Sequence, residues 1–214
     1  VALSLPCRAI PIAHRHTETS LVEAGATNTT VGGAMPCISI LDTGVPDSDL
    51  ATGGIVWANQ SLAIRFRFLD VYLNGSIFSI STYLSTSRMS KQSNGNVVNI
   101  SLCRESTVAL APDLSHCFTS STFNVLSAKV LKLTWAPSRN VYLRKRIFYW
   151  VVVSGTAESE DTSFTWLDGN IKLQPSDDAP VISSHSSDGE NWIVDNKADG
   201  KTELPTISVL VSTR

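Results

Sequence analysis

Period-two alternation constrains this chain more than any single motif does. Residues 61–73 (SLAIRFRFLDVYL) are the clearest case: Ile64, Phe66 and Phe68 fall on one face, Arg65 and Arg67 on the other. That is a strand with an apolar side against a core and a polar side away from it. Asn74-Gly75 then reads as a turn, and 77–84 as the returning strand. After a polar loop at 85–95, further strands are expected at 97–104, 107–110 and 117–125, then as long strands at 126–135 and 141–154. Shorter pieces follow at 163–167, 171–173, 192–194 and 207–211. No window carries a convincing period of 3.6, so almost no helix is expected. The 141–154 stretch changes character midway. Residues 142–146 (YLRKR) are charged and 147–153 (IFYWVVV) continuously apolar, as in a strand buried on both faces or lying deep in a sandwich.

Nine to eleven strands with turn punctuation and little helix predict an all-β fold, an antiparallel sandwich or barrel. No internal repeat or linker divides the 214 residues, so one domain over 35–214 is expected. Residues 1–34, with Gly25, Gly32 and Gly33 and little patterning, read as an extended N-terminal arm. Residues 174–206 form a second loop-rich region.

Composition narrows the function classes. Apolar residues make up 43% and charged residues only 17%, too apolar for a disordered chain. A net charge of −2 removes a basic arm or domain that holds nucleic acid by charge alone. The longest apolar run, 147–153, is far short of the roughly 18 residues that span a bilayer, so no membrane association is expected. Residues 1–12 lack a basic leader region and contain Pro6 and Pro11, unlike a signal peptide. A start at Val1 is what a polyprotein product, a mature secreted protein or a trimmed chain would show.

Several motifs invite chemistry. Residues 38–50 (ISILDTGVPDSDL) place Asp42 at a strand end before Thr-Gly, which resembles both aspartic and subtilisin-like proteases. The other halves of both patterns are missing: His14, His16, His116 and His185 stand in no His-Gly-Thr-His setting, and there is no Gly-rich flap. Asp42-Thr43-Gly44 therefore reads as an Asx-type turn ending a strand, and a hydrolase using Asp42 is a distant alternative. No catalytic, cofactor-binding or metal-ligating set is expected, since no phosphate loop, nucleophile elbow or zinc spacing occurs.

Cys7, Cys37, Cys103 and Cys117 allow three pairings. The plain reading is four buried or half-buried thiols, while the 14-residue gap between Cys103 and Cys117 could close a hairpin with a disulfide. Sequons at Asn28, Asn59, Asn74 and Asn99 carry no weight, because the 29 Ser and 19 Thr predict roughly 2.5 by chance. The one basic cluster is Arg139, Arg144, Lys145 and Arg146, beside Tyr142, Tyr149 and Trp150. It reads as a contact for RNA phosphate or for a neighbouring subunit; the plainer reading is the solvated end of a strand, with Arg144 and Arg146 on one face and Lys145 on the other.

The layout as a whole resembles a jelly-roll capsid subunit of a small icosahedral, picorna-like virus, including plant viruses that build shells from several coat proteins. The features that carry the resemblance are the irregular arm, the many strands with long connections, the Ser/Thr-rich low-charge surface, and the Trp135-Ala136-Pro137 step into 141–154. It implies a jelly-roll sandwich and a structural, non-enzymatic role in shell assembly around an RNA genome. Other coat subunits would be the partners, with weak contacts to genomic RNA, and the virion and the host cytoplasm during assembly would be the location. It also implies surface exposure for the loops at 85–95 and 155–162. A charged fraction below the usual ~25% suits repeated interfaces that are cheap to desolvate. The competing expectation is a secreted or cell-surface β-sandwich binding module, immunoglobulin-like or lectin-like, although Cys103 and Cys117 are too close for an inter-sheet bridge.

Overall fold

The computed structural model describes residues 5–6, 36–47, 52–68, 75–87, 97–124, 130–170, 183–188, 191–195 and 204–213. The expectations for the arm, His14 and His16, Asn28, Asn74, most of the 85–95 loop and 171–173 lie outside them. Among the described residues fourteen strands occur in chain order: β1 Leu5–Pro6, β2 Pro36–Asp42, β3 Gly53–Val56, β4 Ser61–Arg67, β5 Gly75–Ser85, β6 Val97–Glu105 and β7 Pro112–Asn124. They continue with β8 Val130–Trp135, β9 Tyr142–Leu143, β10 Phe148–Gly155, β11 Phe164–Leu167, β12 Ser183–Ser186, β13 Trp192–Asp195 and β14 Ser208–Thr213. A 3-10 turn, Glu160–Thr162, precedes β11 and is solvent-facing.

The strands form two antiparallel sheets packed face to face, the all-β sandwich expected. The first runs β1-β2-β14-β5-β11-β3, with β8 and β9 on the other edge of β5. The second runs β13-β12-β4-β10-β6-β7. Between them lies one core. The inner residues of the second sheet, Ile64, Phe66, Phe68, Ile100, Leu102, Tyr149, Val151 and Val153, meet Ile77, Ile80, Leu84, Leu133, Trp135, Val209 and Val211 of the first. Alternation produces this directly, because every second side chain points inward.

Three expectations change. The 141–154 stretch is two strands, not one. β9 belongs to the first sheet and β10 to the second, and the chain crosses between them through a turn at residues 144–147. Arg146 takes φ 62° there, its N–H bonds Phe68 O at 3.2 Å, and Ile147 N–H bonds Arg144 O at 3.4 Å. Arg144, Lys145 and Arg146 therefore form a corner, without the alternating faces of a strand. Residues 107–110 form a turn, and β7 begins at Pro112. Residues 183–186 (SSHS) form a strand, zipped to β4 on one side and to β13 on the other.

The outer face of the second sheet is not simply polar. Trp150 and Cys103 are fully buried there, together with Ala63 and Val152, and half-buried Cys117 and Trp192 cover them. Among the described residues the Trp150 indole N–H has no hydrogen-bond partner. Arg65, expected on the polar side, is only 6% exposed. Its guanidinium grips both carboxylate oxygens of Glu105 and lies 3.4 Å from the centroid of the Phe148 ring.

Residues 204–207, which lead into β14, are buried against the first sheet. Thr82 Oγ1 and Trp166 Nε1 both donate to Thr206 O, at 2.7 and 2.8 Å. Gly169 passes so close to Thr43 that a Cβ would sit 2.0 Å from the Thr43 carbonyl oxygen.

A candidate anion-binding groove at one end of the sandwich

The β6–β7 hairpin builds the site. Cys103 pairs with Cys117, and the next pair is Arg104 with Asp113, so Leu114, Ser115 and His116 have no partner on β6. This bulge pushes all three into solvent. Cys103 and Cys117 are joined by a disulfide at the root of the bulge, the bridge that the 14-residue gap could close, so they are not thiols; Cys37 is also disulfide-bonded. Arg104 directly follows one half-cystine and His116 directly precedes the other, so the bridge brings a cation and an imidazole to one place.

Within the bulge, Asp113 organises the turn. Its Oδ1 accepts from the Ser115 hydroxyl at 2.6 Å and the Ser115 N–H at 3.1 Å, and its Oδ2 lies 2.8 Å from His116 Nδ1. The Ser115 hydrogen bond, then that of His116, holds the Asp113 carboxyl below its ordinary 3.8. Ser, His and Asp together invite comparison with a hydrolytic triad, but the geometry differs. A triad holds serine and carboxylate on opposite ring nitrogens. Here Ser115 Oγ and Asp113 both approach Nδ1, and the serine proton goes to the carboxylate. His116 Nε2 makes no hydrogen bond to a described residue.

Phe118 is the hub of the groove floor. Its ring meets that of Tyr149 at a tilt of 47° with centroids 5.7 Å apart, and the Arg104 guanidinium lies 4.8 Å above it. Its carbonyl accepts from Arg139 Nη2 at 2.8 Å. Tyr149, inside the core, accepts the Arg144 N–H at 2.7 Å, and burial raises its phenol above the ordinary 10.0. Arg104, Arg139, Ser115, His116, Phe118 and Tyr142 line a groove of about 530 Å³, with Asn140 and Val141 at its side. That volume suits a ligand of nucleotide size. Among the described residues no carboxylate pairs with Arg104 or Arg139.

Of the basic cluster singled out from sequence, Arg139 lines the groove. Arg144, Lys145 and Arg146 are exposed on the neighbouring corner and do not line it. Of the adjacent aromatics, Tyr142 is 55% exposed at the groove, while Tyr149 and Trp150 are buried. Sequence reasoning missed Arg104, His116 and Phe118. The signal was available: they flank Cys103 and Cys117, and a bridge between those two cysteines puts them together.

Asp42 lies elsewhere, at the end of β2. Its Oδ1 accepts the Gly44 N–H at 2.9 Å, Gly44 has φ 81°, and Thr43 is fully buried with its hydroxyl donating to Pro205 O at 2.9 Å. This is the Asx turn the sequence predicts. Among the described residues no three His, Cys, Asp or Glu side chains are grouped to hold a metal. No protein-family model and no curated protein sequence matches the chain.

Proposed function

We propose that this chain is a structural subunit that assembles with other coat subunits into an icosahedral shell around an RNA genome. The observation that carries the reading is strand order. Numbering only β2, β4, β5, β6, β7, β8, β10 and β14 from one to eight, the sheets run 1-8-3-6 and 2-7-4-5. That nesting of two Greek keys is the jelly roll, an architecture used by capsid subunits and also by lectins and cupins. Two surface features favour assembly among these. β7, thirteen residues long, pairs only with β6 among the described strands and offers a sheet edge. Beside its start, Val108 is 92% exposed, and Leu110 and Leu114 are also exposed, an apolar patch of the kind that neighbours cover. The native sample run on size exclusion should elute as large particles; a stable monomer at every concentration would overturn the reading.

A second reading, a secreted binding module, is favoured by the disulfides at Cys37 and at Cys103–Cys117, which persist in oxidising compartments and on virion surfaces alike. Glycans separate the two. Asn59 is exposed in a tight turn, whereas Asn99 lies within β6 and accepts from the Thr122 hydroxyl at 2.8 Å. Intact mass showing a glycan on Asn59 would support the secreted module, and unmodified asparagines would count against it.

A further inference from the structure

We propose that the groove at the β6–β7 bulge binds a phosphate joined to an aromatic base: one nucleotide of a single strand, or a free nucleotide. Three independent features converge. Arg104 and Arg139 present guanidinium groups with no carboxylate partner among the described residues, 4.8 Å above the Phe118 ring and 2.8 Å from its carbonyl. Guanidinium groups held this way meet phosphate oxygens with paired N–H donors. His116 Nε2 adds a further polar group, with the ring fixed through Nδ1 by Asp113. Tyr142 supplies an exposed ring to the groove lining, and base–aromatic stacking is the sequence-tolerant way proteins hold single strands.

The competing ligand for such cations is an acidic peptide from a neighbouring subunit. The exposed ring favours the nucleotide, because a carboxylate side chain gains nothing from stacking, whereas a base does. The protein's net charge of −2 makes a general attraction to polyanions weak, so binding would be local to the groove. The assignment does not rest on the shell reading: a subunit that never assembles would bind the same probe.

The test is fluorescence anisotropy of a labelled short oligouridylate with the full-length, disulfide-intact protein. Tyr142→Ala should weaken binding about 5- to 100-fold, while Tyr142→Phe stays within about twofold of the native protein. Arg104→Gln and Arg139→Gln should each flatten the dependence of log affinity on log salt by about 0.7. Lys132→Gln, on β8 and away from the groove, should change nothing. Uridine monophosphate displacing the probe assigns the site to free nucleotides, and displacement only by oligouridylate assigns it to strands. Inorganic phosphate competing as well as the nucleotide would overturn the base-stacking part. Polyglutamate competing as well as oligouridylate, or Lys132→Gln weakening binding as much as Arg104→Gln, would overturn the proposal. Thermal unfolding of each variant confirms that it is folded before titration.

Discussion

Arg65 and Arg104 belong to the same sheet, two strands apart, and their surroundings are opposite. Arg65, on β4, is buried; its guanidinium lies against Phe148 and is held at both carboxylate oxygens of Glu105. Arg104, on β6 beside the disulfide, is exposed and lies over Phe118 with no carboxylate partner among the described residues. Both cations sit on aromatic faces, so stacking does not distinguish them. The carboxylate does. A cation whose charge is matched inside the molecule contributes to the fold, and one whose charge is unmatched on a groove wall is available to a ligand. The same comparison separates Glu105 from Asp113: the first is committed to Arg65, the second to its own turn and to His116.

The largest effect that could break this comparison is on Arg65. Arg65→Ala leaves Glu105 without its partner and should cost about 3 kcal/mol in urea unfolding. A loss under about 1 kcal/mol would mean the pair behaves as an ordinary surface ion pair. Replacing both residues, Arg65→Met with Glu105→Leu, should recover most of that stability, since apolar replacements of buried pairs are often neutral.

Next in size is the disulfide. Cys103→Ala with Cys117→Ala opens a loop of sequence separation 14, which should cost about 2–3 kcal/mol. The melting temperature of the native protein should fall further under reductant than that of the double variant, which keeps only the bond at Cys37. Because the bridge also places Arg104 next to His116, the variant should bind oligouridylate more weakly than its residual stability alone explains.

The smallest effect concerns Asp113. Its carboxyl lies below 3.8 with the Ser115 hydrogen bond as the first cause and His116 as the second. Ser115→Ala and His116→Ala should therefore each raise it, read from the side-chain carboxyl carbon in an NMR titration. A lowered carboxylate stabilises the folded state above its ordinary value and loses that contribution as pH falls through the lowered one. The change is confined to pH below about 4, and neutral solutions should show none.

Much of the sandwich was legible because alternation is a local signal. Ile64, Phe66 and Phe68 face the core as their spacing dictates, and the apolar run is buried on both sides from Tyr149 to Val153, Tyr149, Val151 and Val153 inward, Trp150 and Val152 beneath the outer cluster, while Ile147 is exposed. The Asp42 turn was legible for the same reason, since Asx chemistry acts within three residues. What escaped was set by tertiary contacts. The corner at 144–147 contains no Gly, Asn or Pro, and Arg146 adopts its left-handed conformation with its N–H bonded to Phe68 O. β12 has no apolar residue to betray it and is a strand because β4 and β13 flank it. The burial of Arg65 depends on Glu105, forty residues away. The groove followed from a cysteine pairing that spacing permits but does not choose.

The shell reading joins these parts, since it gives the edge of β7 and the apolar tip around Val108 neighbours to meet. Negative-stain electron microscopy of the native sample tests it most directly. The account predicts closed, uniform particles of icosahedral outline. Fields containing only dispersed single subunits, at every concentration imaged, would contradict it.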